Sequence, residues 1–228
     1  MKTQVLHGFA GSAGPLLRFF PGAEAPVLPG HGNAPDARAW SDALDDLGGL
    51  LDPGQPATVF GYSMGARLAL GLALRRPDGI ARLVLESGTA GIPDPGERAR
   101  RQAEDGALAE FIERFGMEKF VERWEQHPTL ASLRPFASQL RPERLAHRPG
   151  GLASALRKLG AGAQPSYWDV LAELRAPVKL IAGARDEKFA SLARRMQELI
   201  PRAELALIPD CGHAPHIERP QAFVEALQ

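Results

Sequence analysis

The sequence predicts an α/β fold, a mainly parallel sheet interleaved with helices and interrupted by one helical insertion. Two observations predict it. Short apolar runs bounded by turn residues alternate with longer runs whose apolar residues recur every three to four positions. That alternation breaks once, between about residues 93 and 168, where helical patterns and prolines occur without a convincing strand. Strands that alternate with helices of this length form βαβ units, and such units make parallel sheets.

In order, the expected strands are residues 3–6, 25–28, 57–61, 81–86, 178–182 and 204–208. Trp40, Leu44, Leu47 and Leu51 line one face of the first strong helix, and Leu68, Leu72 and Leu74 belong to the second, which stops near Pro77. Residues 189–200 and 220–227 supply two more. The insertion carries helical patterns at 97–105, 108–115, 118–126, 142–147 and 151–159. A helical insertion in a parallel α/β fold covers the carboxyl end of the sheet, where ligands bind. The expected organisation is therefore one core, residues 1–92 and 169–228, and one lid, residues 93–168.

Bulk properties narrow the function. A chain of 228 residues builds one good core, and 27 basic against 27 acidic side chains leave no global field for nucleic acid or an anionic membrane. Cys211 is the one cysteine, so no intramolecular disulfide framework exists. The first residues lack the apolar core of a signal peptide, and no apolar stretch approaches the ~20 residues of a membrane helix. A cytoplasmic protein, monomeric or a small homo-oligomer, is the expectation.

The sharpest motif is Gly61-Tyr62-Ser63-Met64-Gly65, a G-x-S-x-G between an apolar strand and a helix. A serine on so tight a turn has strained backbone angles, and flanking glycines remove the side chains that would collide. The bland alternative is a glycine-rich turn with an incidental serine. A nucleophilic or basic serine needs a histidine, and the histidine needs an orienting acid. Asp186 and His213 each follow a strand, at the same sheet edge as Ser63. Asp186 could instead cap the next helix, and His213 could be a surface-loop histidine. His216 and Asp210 are weaker rivals: His216 is expected to support its loop, and Asp210 is too near His213 in sequence. Cys211 reads as packing.

His7-Gly8-Phe9-Ala10-Gly11 directly follows the first strand. Its small residues can bring the Phe9 amide beside that of Met64, making an oxyanion hole worth about 2.7–4 kcal/mol per donor. The spacing of Gly8, Gly11 and Gly14 does not fit a phosphate-binding loop. The histidines are scattered, so neither metal nor organic cofactor is expected.

Together His7-Gly8, Leu28-Pro29-Gly30-His31-Gly32, the serine motif and Gly212-His213 resemble the α/β-hydrolase superfamily over essentially the whole chain. Two departures stand out. The antiparallel strand pair that usually precedes the H-G loop is missing, and Val27 replaces a common aspartate. Finer matches resemble one branch, the 2-succinyl-6-hydroxy-2,4-cyclohexadiene-1-carboxylate synthases of menaquinone biosynthesis. They are Arg67, Glu86-Ser87-Gly88, residues 97–102 with Asp105, Trp124 with residues 128–133, residues 156–165 and residues 183–189.

That resemblance implies a lyase eliminating pyruvate from 2-succinyl-5-enolpyruvyl-6-hydroxy-3-cyclohexene-1-carboxylate, a small polycarboxylate. It also implies substrate contacts from Arg67, Arg101 and Arg148, with Tyr62 and Trp124 as pocket aromatics. Arginine's planar fork suits carboxylates. Against this, residues 94–168 hold ten arginines and two lysines beside ten acids, most of which must be solvated helix face. Two other readings remain: a serine hydrolase of small esters or carbon–carbon bonds, and a ligand-binding receptor on the same scaffold.

Overall fold

The computed structural model describes residues 2–228. In chain order its elements are β1 (Thr3–Leu6), α1 (Gly14–Leu17), α2 (Trp40–Gly48), β2 (Ala57–Tyr62), α3 (Met64–Arg75), β3 (Ile80–Glu86) and α4 (Pro95–Trp124). Then come α5 (Ala137–Leu145), α6 (Pro149–Leu159), β4 (Val178–Gly183), α7 (Glu187–Leu199), β5 (Ala203–Ile208), α8 (Pro215–Glu218) and α9 (Pro220–Ala226). The five strands form one parallel sheet in the order β1-β2-β3-β4-β5.

Alternate residues of each strand enter different cores, as the pleat requires. On one face Leu6, Val59, Leu83, Leu85 and Leu180 pack against α2, α3 and α7. On the other, Val5, Phe60, Val84, Ile181 and Ile208 meet Leu16 of α1 and Phe223 of α9. Both faces being covered explains why the strands read as apolar runs rather than as alternating patterns. A helix as short as α9 does not form by itself in water. Burying Phe223 completely, worth roughly 1.5–3 kcal/mol, is what holds it in place.

One expected strand is absent. Residues 25–28 make no ladder, and only an isolated bridge, Gln4 with Glu24, lies on the outer side of β1. Pro26 and Pro29 lack the N–H groups that a ladder needs, so the chain leaves the sheet after Glu24. The helical segment between β3 and β4 also differs in detail. Residues 97–105 and 108–115 are one helix, because Gly106 stays helical; the break comes at Gly116, with φ 76° and ψ −179°. The helix expected at 142–147 begins earlier, at Ala137. Helix α4 packs on α6 through Ala109, Ile112, Phe120, Leu152 and Leu156, a small core that also takes in Ala10 from the loop after β1.

Candidate active site

Every non-glycine residue with positive φ among those described lies in the turn or loop that follows a strand: Ala10 (55°), Ser63 (52°), Ser87 (50°) and Asp210 (52°). Such strain costs on the order of 1–3 kcal/mol per residue and persists only where surrounding packing enforces it. Around Ser63 that packing is severe. A Cβ on Gly61 would overlap the Gly65 carbonyl and sit 2.6 Å from the Ala66 nitrogen. One on Gly65 would overlap the Leu6 carbonyl oxygen and lie 2.6 Å from that of His7. The two glycines thus let the turn close against both itself and β1.

Three loops converge on one hydrogen-bonded chain. The Ser63 hydroxyl lies 3.1 Å from His213 Nε2, and His213 Nδ1–H donates to Asp186 Oδ2 at 2.7 Å. Asp186 Oδ1 accepts from the Phe189 amide at 3.3 Å, so the residue caps α7 and holds the imidazole at once. His213 is buried, with Phe189 edge-on at 4.6 Å. Glu218 clamps the histidine loop from behind: it accepts from the Gly212 amide at 2.7 Å, the Ala214 amide at 2.9 Å and the Ser132 hydroxyl at 3.1 Å. Sequence reasoning missed this carboxylate, because the loop amides it serves leave no periodic or local signature.

The loop after β1 is held just as firmly. The Gly8 carbonyl accepts from His7 Nδ1–H at 2.9 Å and from the Gly11 amide at 3.2 Å. In a planar trans peptide the next N–H points the opposite way, so the Phe9 amide is turned away from these partners. Neither it nor the Met64 amide at the start of α3 finds an acceptor among the described residues. Gly8 runs over Ser63, since a Cβ there would lie 3.6 Å from the Ser63 Cβ.

Behind the loop three neutral histidines stand edge to face, His7–His31 at 4.9 Å and His31–His147 at 5.2 Å. Their ring nitrogens accept the backbone amides of Leu28 (3.2 Å), Ala10 (3.1 Å) and Gly32 (2.9 Å). Burial is the main reason each sits below the ordinary imidazole value, His7 at about 4.

These parts open onto a cavity of about 900 Å³, lined by Gly8, Phe9, Tyr62, Ser63, Met64 and His213 and by residues of α4, α5 and α6. Six cations line it, Arg67, Arg100, Arg101, Arg123, Arg144 and Lys188, against the acids Glu97, Glu104, Asp105 and Glu143. Arg67 is buried in the wall and donates to the Leu159 carbonyl at 2.9 Å and to Gln164 at 3.5 Å. Of its five N–H donors, three have no hydrogen-bond partner among the described residues. Burial, and then the charge of Arg101, lower it to about 10, so it stays cationic at neutral pH. Arg101 donates to Asp105 at 2.8 Å through Nε and lines the cavity. Trp124 stacks on Phe120 and meets Phe9 edge-on at 5.3 Å. The Tyr62 phenol is pushed well up by burial and by Glu86, and is neutral.

Arg148 departs from expectation. It is absent from the lining, half-exposed, and spends its guanidinium on the Ala34 carbonyl (2.8 Å) and Asp36 (2.9 Å). Its position at the start of α6 turns it outward, toward the loop that follows His31. Arg100, Arg123, Arg144 and Lys188 line the cavity although nothing local in the sequence distinguishes them from solvated neighbours. Cys211 is buried and its thiol is pushed up to about 12, in keeping with packing. Among the described residues no group of three or more His, Cys, Asp or Glu could hold a metal ion.

The description of the alpha/beta hydrolase family matches residues 5–226. The chain belongs to that family. Within it, a Bacillus subtilis (strain 168) protein named "Putative 2-succinyl-6-hydroxy-2,4-cyclohexadiene-1-carboxylate synthase" is 36% identical over 96% of this chain and 85% of its own. The Serratia proteamaculans (strain 568) synthase of that name is 30% identical over 88% of this chain and 79% of its own. The solved structure of MenH from S. aureus superposes with a TM-score of 0.94 at 32% identity, covering 100% of this chain and 91% of that one. This hydrolase-family chain thus matches that branch through the inserted helices as well as the sheet.

Proposed function

We propose that the protein is a lyase of menaquinone biosynthesis that eliminates pyruvate from 2-succinyl-5-enolpyruvyl-6-hydroxy-3-cyclohexene-1-carboxylate, leaving 2-succinyl-6-hydroxy-2,4-cyclohexadiene-1-carboxylate. The observation that carries this reading is the Ser63–His213–Asp186 chain opening onto a cavity whose wall holds a buried, charged Arg67. Likeness to the named synthases over nearly the full chain supports it. Asp186 orients His213, and His213 makes Ser63 basic enough to take a proton from the substrate ring. Electrons move through the ring, and the enolate of pyruvate leaves. Carbanion-like charge is held by the Phe9 and Met64 amides. Arg67 and Arg101 hold substrate carboxylates, with Tyr62 and Trp124 as apolar walls, and residues 93–168 act as the lid. General-base chemistry of this kind contributes about 10²–10⁴-fold.

No described helix is long and apolar enough to cross a membrane; the reading is of a cytoplasmic enzyme that needs no cofactor. The same hydrogen-bonded chain with two unclaimed amides also fits ester hydrolysis through a covalent acyl-serine. The assay that separates the two is pyruvate release from the menaquinone precursor, followed by NADH loss through lactate dehydrogenase. Pyruvate should appear with the wild type and vanish with Ser63→Ala, which should still bind substrate. Fast cleavage of p-nitrophenyl esters without pyruvate sinks the lyase reading.

A further inference from the structure

Three residues beyond His213 stands a second imidazole held by a carboxylate. Glu86, at the end of β3, is wholly buried, and its two oxygens accept from His216 Nδ1–H at 2.8 and 2.9 Å. It also accepts from the His216 backbone amide at 2.9 Å. Tyr62 lies edge-on to the ring at 4.6 Å and Phe223 at 6.0 Å. His216 lines the same cavity as Ser63. Its Nε2 has no partner among the described residues and, unlike that of His147, is not sealed off.

The arrangement repeats that of His213 on Asp186: a carboxylate fixes one ring nitrogen, and the other is left without a protein partner in a residue that lines the cavity. A carboxylate so placed fixes the orientation of the ring and aims its other nitrogen. A pin for the loop needs only the backbone amide and one oxygen; it has no use for an unpartnered Nε2. The titratable and charged groups around the ring are Glu86 from β3, Tyr62 from β2, Glu143 from α5 and Arg18, whose guanidinium donates to the His216 carbonyl at 2.8 Å. β4, α9 and residues 128–136, which also pack near α8, add no hydrogen-bonded or ion-paired group to it.

The elimination read above needs two proton transfers of opposite sense, one from a ring carbon and one to the departing oxygen. We propose that His216, held by Glu86, is the donor to that oxygen. The step balances, and it rests on the pyruvate-eliminating reading. The ring C–H proton passes to the Ser63–His213 pair, and its electron pair runs through the ring to break the C–O bond of the leaving group. The Nε2–H proton of the His216 imidazolium passes to the enolate oxygen, giving enolpyruvate, which ketonises to pyruvate. His216 is left neutral and His213 protonated, and solvent restores both.

The test is pyruvate release by the full chain across the pH range, wild type against His216→Gln. A positioned acid is worth about 10²–10⁴-fold, so kcat should fall at least roughly 100-fold while KM moves no more than about threefold. The alkaline decline of wild-type kcat should disappear. A variant that keeps the wild-type kcat, keeps the alkaline decline, or loses activity through KM overturns the proposal. Should His216→Gln fail to fold, as judged by thermal unfolding, the isosteric Glu86→Gln takes its place with the same expected losses. Where both fold, the double variant should be no slower than His216→Gln, and additive losses overturn the proposal. A wild type that releases no pyruvate refutes the lyase reading and takes this proposal with it; wild-type release with an unaffected His216→Gln refutes the proposal alone.

Discussion

Arg67 and Arg148 carry the same guanidinium into opposite surroundings. The first is buried in the cavity wall with donors to spare, and the second is half-exposed and already committed to Ala34 and Asp36. A hydrogen bond to a charged group contributes about 1.5–3 kcal/mol, so Arg67→Ala should raise KM for the precursor roughly 10- to 150-fold. Arg67→Lys, which keeps the charge but not the fork, should recover only part of that. Arg148→Ala should stay within about twofold of wild type, since exposed pairs contribute little. Steady-state pyruvate release on the three variants checks this, and equal effects from Arg67 and Arg148 would remove the carboxylate argument. Ser63, Asp186 and His213 were legible because each lies in the turn or loop that follows an apolar strand at one sheet edge, in the chain order serine, acid, histidine. Glu86 with His216 was not, since the two are 130 residues apart and neither carries a local motif beyond its neighbour's.

At the scale of elements, α4 carries most of what the insertion contributes. A straight helix of its 30 residues would be about 45 Å long. The break at Gly116 lets Arg101, before it, and Trp124, after it, face the same cavity. Open space surrounds Gly116, so a methyl group there meets nothing; the obstacle is its backbone, in a region reserved for glycine. Gly116→Ala should therefore cost about 1–3 kcal/mol in urea unfolding and raise KM more than it lowers kcat. An unchanged urea midpoint would mean the break straightens without penalty. The sequence pattern set breaks near both Gly106 and Gly116, because propensity treats both glycines alike; only the second interrupts the helix. The strand at 25–28 failed for a similar reason: its apolar content was right, but Pro26 and Pro29 deny it a ladder.

For the whole molecule, the three buried histidines behind the loop after β1 tie stability to pH. Above the ordinary imidazole value near 6.5 they are neutral folded and unfolded alike. As pH falls through 6.5 the unfolded chain takes up protons that the folded chain refuses, His7 until about 4. The unfolded state then binds more protons, so stability declines from about pH 6.5 downward, by up to about 3 kcal/mol for His7 alone. The urea midpoint should drop between neutral pH and about pH 5, before most carboxylates titrate, and drop less in His31→Gln. A flat profile in that window contradicts the neutral cluster.

The sheet order has a further consequence. Because β1 to β5 lie side by side in the order in which they are made, the sheet can grow by one strand at a time as the chain emerges from the ribosome. Ser63 is in place early, while His213 arrives only with the loop after β5. If His213 is the base proposed above, a half-made chain therefore displays a strained serine with no partner to arm it, and reactivity is withheld until the scaffold around it is nearly complete.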